Sequence, residues 1–255
     1  MSAFDALIAF QRETEALAQV AERLGWDQET MMPRGAAEQR GEEMAAMETV
    51  LHARRTDPRI ADWLAQAQAP DAAGARMLAL IGRAHERSAA VPVRLAAELA
   101  RVTSVAQGIW AEARAADDVA RFLPILSEVI RLTREKAAAL AAAGFGAGDA
   151  YDALLDDYEP GATAAGIGAM FDRMRPRLVA LRAAVLGTGR QPAGLSGTYP
   201  REAQLALARD MAAAFGYDWS RGRLDLAVHP FSSGSGNDVR ITTRVVEADP
   251  LNCLY

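Results

Sequence analysis

Cysteine is nearly absent: Cys253 is the only one in 255 residues, so no internal disulfide can form and a reducing, cytoplasmic location is the expectation. Histidine is scarce as well, with only His52, His85 and His229, and aromatic residues make up 6%. There is no positive excess, since 28 Lys and Arg face 33 Asp and Glu for a net charge of −5. That balance argues against a nucleic-acid partner, whose phosphates call for a basic face, and against docking on an anionic membrane. No apolar run approaches the roughly 20 residues that span a bilayer. The opening MSAFDALIAFQRETEA lacks the basic start of a signal peptide. What remains is a chain with 51% hydrophobic and 24% charged residues, the make-up of a folded protein with one large core or two small ones.

Most of that chain has the period of a helix. Phe4, Leu7, Ile8, Leu17, Val20, Ala21 and Leu24 recur at three- and four-residue spacing, with Ser2 as N-cap and Gly25 placed to end the segment. Pro33 suits the first turn of a second helix, on which Met44, Met47 and Leu51 share a face. Further helices are expected near 71–90, 92–116, 119–143, 163–186 and 200–216. Leu126, Val129, Ile130, Thr133, Ala137 and Leu140 line one side of the fifth, and Gly144 and Gly146 cap it. Gly187–Gly197 (GTGRQPAGLSG) is read as a surface loop. After Tyr217 the period changes to two. Leu224, Leu226 and Val228, then Val239, Ile241, Thr243 and Val245, alternate as strands do. With Ser232–Asn237 as a flexible connection, these two runs are expected to pair as a hairpin.

Few residues suggest chemistry. A catalytic zinc needs about three converging ligands, and no two histidines here are four apart. Ordinary packing is therefore the stronger reading for His52 and His85. The glycine-containing loops match no phosphate-binding fingerprint, and Ser232, Ser233 and Ser235 lack a nucleophile elbow. Cys253 has no basic neighbour in sequence to lower its pKa and reads as a small apolar residue. Two segments resist a purely structural account. Trp26–Pro33 (WDQETMMP) follows an expected helix end and crowds an indole, two carboxylates and an amide into four positions. It could still be a plain interhelical turn. His229-Pro230-Phe231 precedes a strand on which Asp238, Arg240, Thr242 and Arg244 share one face. Such a face is either a solvent-facing edge strand or the polar wall of a cleft, because unpaired buried charge is costly.

Those segments, with YDALLDDYEPG at Tyr151–Gly161 and GRLDLAVHPF at Gly222–Phe231, resemble the carboxypeptidase Taq family of zinc metallocarboxypeptidases. The resemblance runs from about residue 4 to the end. It implies a mainly α fold, a multi-helix array with a small antiparallel hairpin near the C-terminus, flanking a deep groove. Residues 1–145 would form a helical wall of that groove. Residues 146–255 would add further helices and the start of the sheet, the two spans forming one continuous unit. It implies release of single C-terminal residues from peptides. It implies zinc, or cobalt, on an HExxH helix and a distant Glu, with the Glu between the histidines activating water. This sequence contains no HExxH, so no metal is expected on the chain alone and no catalytic residue is assigned to it. By resemblance His229, Pro230, Phe231, Asp238, Arg240 and Thr242 border the substrate groove. Asp238 and Arg240 either pair to shape the wall, or Arg240 offers its charge to substrate.

Two functions follow as expectations. The first is an N-terminal portion of a peptidase, inactive alone and partnered by a missing C-terminal half. The second is a stand-alone, non-catalytic helical interaction protein on the same scaffold. The first is favoured because the chain stops where the sheet should hand over to the catalytic helix, finishing in apolar Leu251, Cys253, Leu254 and Tyr255. Uncovered apolar faces then predict self-association, and full-length relatives of the resembled family are commonly dimers.

Overall fold

The computed structural model describes residues 2–191 and 193–253; Pro192 of the expected loop and the terminal Leu254 and Tyr255 lie outside the described residues. The first helix, α1 (Ala3–Thr30), starts where expected. The Ser2 hydroxyl accepts from the Asp5 amide and the Asp5 carboxylate accepts from the Ser2 amide, a reciprocal cap. It does not end at Gly25. It runs one and a half turns further, so Trp26–Thr30 is helix and not an interhelical turn. Pro33 leads into a short 3-10 turn (Arg34–Ala36) before α2 (Ala37–Arg55). Next comes α3 (Pro58–Gln66), which the periodicity passes over although Asp57 caps it and Pro58 occupies its first turn. Then α4 (Ala72–Ala90), α5 (Val93–Ala115) and α6 (Val119–Ala142) fall within a residue of the expected spans.

The chain forms two compact units. One comprises the described residues of Met1–Leu132 and Ser196–Tyr255. Its apolar centre joins α1, α3 and α4: Leu7 and Ile60 are wholly buried beside Phe10, with Trp63, Leu64, Leu78 and Ile81 packed around them. Each such side chain contributes about 1.5–3 kcal/mol by leaving water. A second seam joins α2 to α5 most extensively of all the helix pairs. Gly41 allows it, because a Cβ there would sit 3.1 Å from Val105 Cγ2 and 3.4 Å from the Arg101 carbonyl oxygen.

The other unit, Thr133–Leu195, contains α7 (Ala150–Leu155) and α8 (Ala164–Gly187). Gly144, at φ 92°, supplies the left-handed turn after α6. The acidic YDALLDDYEPG segment is used locally: Asp152 accepts from the Ala164 amide at 2.7 Å and Asp156 from the Gly161 amide at 2.9 Å. Asp157 takes the Lys136 ammonium at 2.9 Å. No residue of α8 is buried. No described helix is long and apolar enough to cross a membrane.

The first unit closes with α9 (Arg201–Ala214) and a three-stranded sheet: β1 (Gly222–Leu226), β2 (Ser232–Ser235) and β3 (Asp238–Thr243), in the order β1-β3-β2. The two alternating runs do not form the expected hairpin. They pair in parallel, with Leu224 opposite Ile241. The antiparallel hairpin is instead β2–β3, with Ser233 opposite Arg240, so the Ser232–Asn237 "connection" is largely a strand. Gly234 makes that possible: at φ 83° a Cβ would lie 2.0 Å from the Asp238 carbonyl oxygen. β3 is consequently the central strand, which removes the edge-strand reading of its polar face. Ala227–Phe231 must cross the carboxyl end of β3 to connect β1 to β2, and that crossing places His229-Pro230-Phe231.

Candidate substrate cleft

The last turns of α1 fan four consecutive side chains toward four different neighbours, as a 100° step per residue dictates. Trp26 is 6% exposed and lies under the sheet. The guanidiniums of Arg240 and Arg223 sit 4.2 Å and 4.8 Å from its ring centre. Asp27 turns to α2 and accepts from Arg40 Nη2 at 2.6 Å. Gln28 turns to α5, donating to the Ser104 carbonyl at 2.9 Å while its own oxygen accepts from the Ser104 hydroxyl at 2.6 Å. Glu29 accepts from the Gln107 amide. Burial holds the Glu29 carboxyl above the usual carboxylate range.

Of these four, Trp26 and Glu29 wall a cleft of about 530 Å³, lined also by Glu22 and Gly25 of α1, Gln107 and Trp110 of α5, and His229, Phe231 and Ser233. His229 and Phe231 line this cleft, while Pro230 between them is not one of its lining residues. Thr242 does not face it. Its buried hydroxyl accepts from the Phe231 amide at 2.7 Å and the Phe231 carbonyl accepts from the Thr242 amide at 2.9 Å, which pins the crossing segment to β3.

Asp238 and Arg240 lie behind Trp26, not in front of it. Arg240 grips Asp238 through Nε at 2.9 Å and Nη2 at 3.0 Å, and Arg23 of α1 reaches the same carboxylate at 3.0 Å. Arg240 first, then Arg23, hold the Asp238 carboxyl down to about 2. Glu22 accepts from the Gly234 amide at 3.2 Å and Gln19 donates to the Ser235 hydroxyl at 2.9 Å, so the hairpin tip is clasped to α1 by polar contacts. Sequence reasoning missed Glu22, Gln107 and Trp110. A helical period marks α5 but says nothing of which solvent-side residues a distant sheet will meet.

The donor set of the described residues does not fit a catalytic metal ion. His52 Nε2 donates to the Val91 carbonyl at 2.7 Å and His85 Nδ1 to the Arg55 carbonyl at 2.8 Å, so both are packing residues. His229 is the one histidine among the described residues that line the cleft, and among the described residues no three His, Cys, Asp or Glu are grouped so that they could hold a metal ion. Cys253 is buried with its thiol against the Gln204 carbonyl at 3.5 Å.

A helical wall and a small sheet crossing its end thus enclose a cleft between them. The sequence signature of the carboxypeptidase Taq (M32) metallopeptidases matches residues 6–255, and the chain belongs to that family. It is similar to the thermostable carboxypeptidase 1 of Thermus thermophilus, at 43% identity over 96% of this chain and 51% of that protein. Its fold resembles the M32 carboxypeptidase of Deinococcus radiodurans R1 (TM-score 0.79, 32% identity, 99% of this chain and 51% of that one). It also superposes on the solved structure of BsuCP (TM-score 0.89), which at 24% identity supports the fold alone and is covered over 51% of its length by 99% of this chain. The chain therefore spans about half the length of the relatives it matches.

Proposed function

We propose that this chain supplies one wall of the substrate groove of a metallocarboxypeptidase that releases single residues from the C-termini of peptides. Its metal, zinc or cobalt, would be held by ligands this sequence does not contain, and the enzyme would work in the cytoplasm. The observation that carries the reading is the meeting of two distant motifs: His229 and Phe231 line the same cleft as Trp26 and Glu29. A cleft whose walls come from α1, α5 and the sheet can hold an extended peptide by its apolar surface and a few polar points. Asp238, Arg240 and Thr242 act behind that wall, fixing Trp26 and Phe231 in place.

The test is a chimera in which this chain replaces the matched segment of the Thermus thermophilus relative. A folded, metal-loaded chimera should release C-terminal residues from peptides. If it folds and binds metal yet leaves peptides intact, the groove reading fails and the non-catalytic interaction scaffold is what stands.

The isolated chain should also self-associate. Phe171, Val179, Leu181 and Val185 of α8 are 46%, 61%, 60% and 57% exposed, and large exposed apolar side chains favour association. Sedimentation should show a dimer or larger; a single monomeric boundary at micromolar concentration would contradict this.

A further inference from the structure

The cleft carries a charge imbalance. Glu22 and Glu29 line it, together with three aromatic rings, and no lysine or arginine does. Arg240 and Arg23 share Asp238, and Arg223 holds Asp225 at 2.6 Å and 2.7 Å; Arg201 and Arg244 line the adjoining pocket that Glu29 also borders, and among the described residues neither forms an ion pair with Glu29. Glu29 is different. It is half-buried, its only hydrogen bond is from the neutral Gln107 amide, and it makes no ion pair among the described residues. A desolvated carboxylate without a counter-charge is an unfavourable arrangement that an arriving cation would relieve. A second polar group, this one a donor, calls for an acceptor such as a backbone carbonyl of the same peptide and not for its cation. The Trp26 indole N–H is buried without an acceptor, in a side chain that is itself part of the cleft wall. Buried donors normally have partners, and each exception asks for a reason.

The surrounding rings suit the same kind of guest. Trp110 and Phe231 offer apolar and quadrupolar surface on which an alkyl-ammonium or a guanidinium can lie. Trp26 already holds two guanidiniums of the protein itself, which shows the indole performing this role on its sheet-facing side. Among the described residues the cationic side chains line the adjoining pocket, as Arg201 and Arg244, and not this cleft, so this cleft suits an upstream portion of the peptide better than its C-terminal carboxylate.

We propose that the cleft is a subsite for a positively charged group on the upstream part of the bound peptide, with Glu29 as its ion partner and Trp110 and Phe231 covering its apolar stem. The cation is a Lys or Arg side chain or the peptide's own α-ammonium. Glu29 is then a specificity-determining residue. This rests on the groove reading above.

The test is calorimetric titration of the purified chain with three tetrapeptides. They are N-acetyl-Ala-Lys-Ala-Ala, its norleucine isostere, and the norleucine peptide with a free α-amine. At least one cation-bearing peptide should bind about tenfold or more tightly than the acetylated norleucine peptide, the least a charge-assisted contact supplies. Which one does so identifies the source of the cation. E29Q, which keeps an oxygen for Gln107, should erase that preference, with a melting curve confirming the fold. Equal affinities for all three peptides, or a preference that survives E29Q, would overturn the cation subsite and leave the groove intact. If none of the three binds, the groove reading itself falls and the subsite with it.

Discussion

Replacing Arg240 with alanine in the chimera is expected to lower kcat/KM for peptide hydrolysis about 100-fold, the scale of a misplacement of about 1 Å at a reacting site. Arg240 is 19% exposed at its side chain and does two jobs. It grips Asp238 through two parallel N–H···O bonds, and it covers the Trp26 ring at 4.2 Å. Without it Asp238 keeps only Arg23, and the cleft floor loses the plate that holds it against the sheet. R240K separates shape from charge. Lysine keeps the charge but neither the fork nor the flat stacking surface. If Arg240 shapes the wall, R240K should be nearly as impaired as R240A; if it offers charge to substrate, R240K should recover much of the activity. Unchanged kinetics in R240A would sink the groove reading. The same pair has a pH signature. Asp238 is lowered from an ordinary 3.8 to about 2, so its stabilising contribution is complete above pH 3.8 and disappears as pH falls through about 2. R240A should lose part of that acid-limb dependence.

Replacing Arg40 with alanine should cause the largest loss of stability from a single polar side chain, about 2–3 kcal/mol. Its side chain is 10% exposed and ties α2 to α1. It donates to Asp27 at 2.6 Å, to Glu43 at 2.9 Å and to the Leu24 carbonyl. Asp27 and Glu43 are each more than a third exposed, so water can re-solvate them, which keeps the expected cost below that of a fully buried pair. The Leu24 carbonyl loses its additional donor, and the buried stem leaves a void between α1 and α2. A urea titration followed by circular dichroism reads the change. A midpoint within experimental error of the parent would show that Arg40 is packed but not stabilising.

How much of this could be read in advance depends on the distance between partners. The Ser2–Asp5 cap, the spans of α4 to α6 and the left-handed Gly144 rest on neighbours within four residues, and the sequence pattern carries them. Gly25 illustrates the opposite case. Glycine is a sound local stop signal, yet nothing within 4 Å opposes a side chain there and the helix continues. It continues because Asp27, Gln28 and Glu29 find Arg40, Ser104 and Gln107, which lie 13, 76 and 78 residues away. Ser232–Ser235 has little strand propensity of its own and is made a strand by β3 and by α1. The alternation of β1 and β3 was plain, but their parallel pairing depends on how Ala227–Phe231 crosses the sheet. In the cleft, the motif residues were legible as unusual, while Trp110 and Gln107 were two ordinary members of a helical stripe.

The clasp between α1 and the hairpin also has a consequence in time. Arg23 and Asp238 are 215 residues apart, and Gln19 and Ser235 216. At ribosomal rates of about 5–20 residues per second, the start of the chain waits on the order of 10–40 s before its partner strand exists. During that interval α1 can pack on α2, α3 and α5 but cannot seat Trp26 beneath Arg240. The nascent protein therefore carries an uncovered indole beside an unpaired Arg23 until β3 is made. Any factor that shields newly made chains would find an apolar target at the end of the first helix, and would be displaced when β3 arrives.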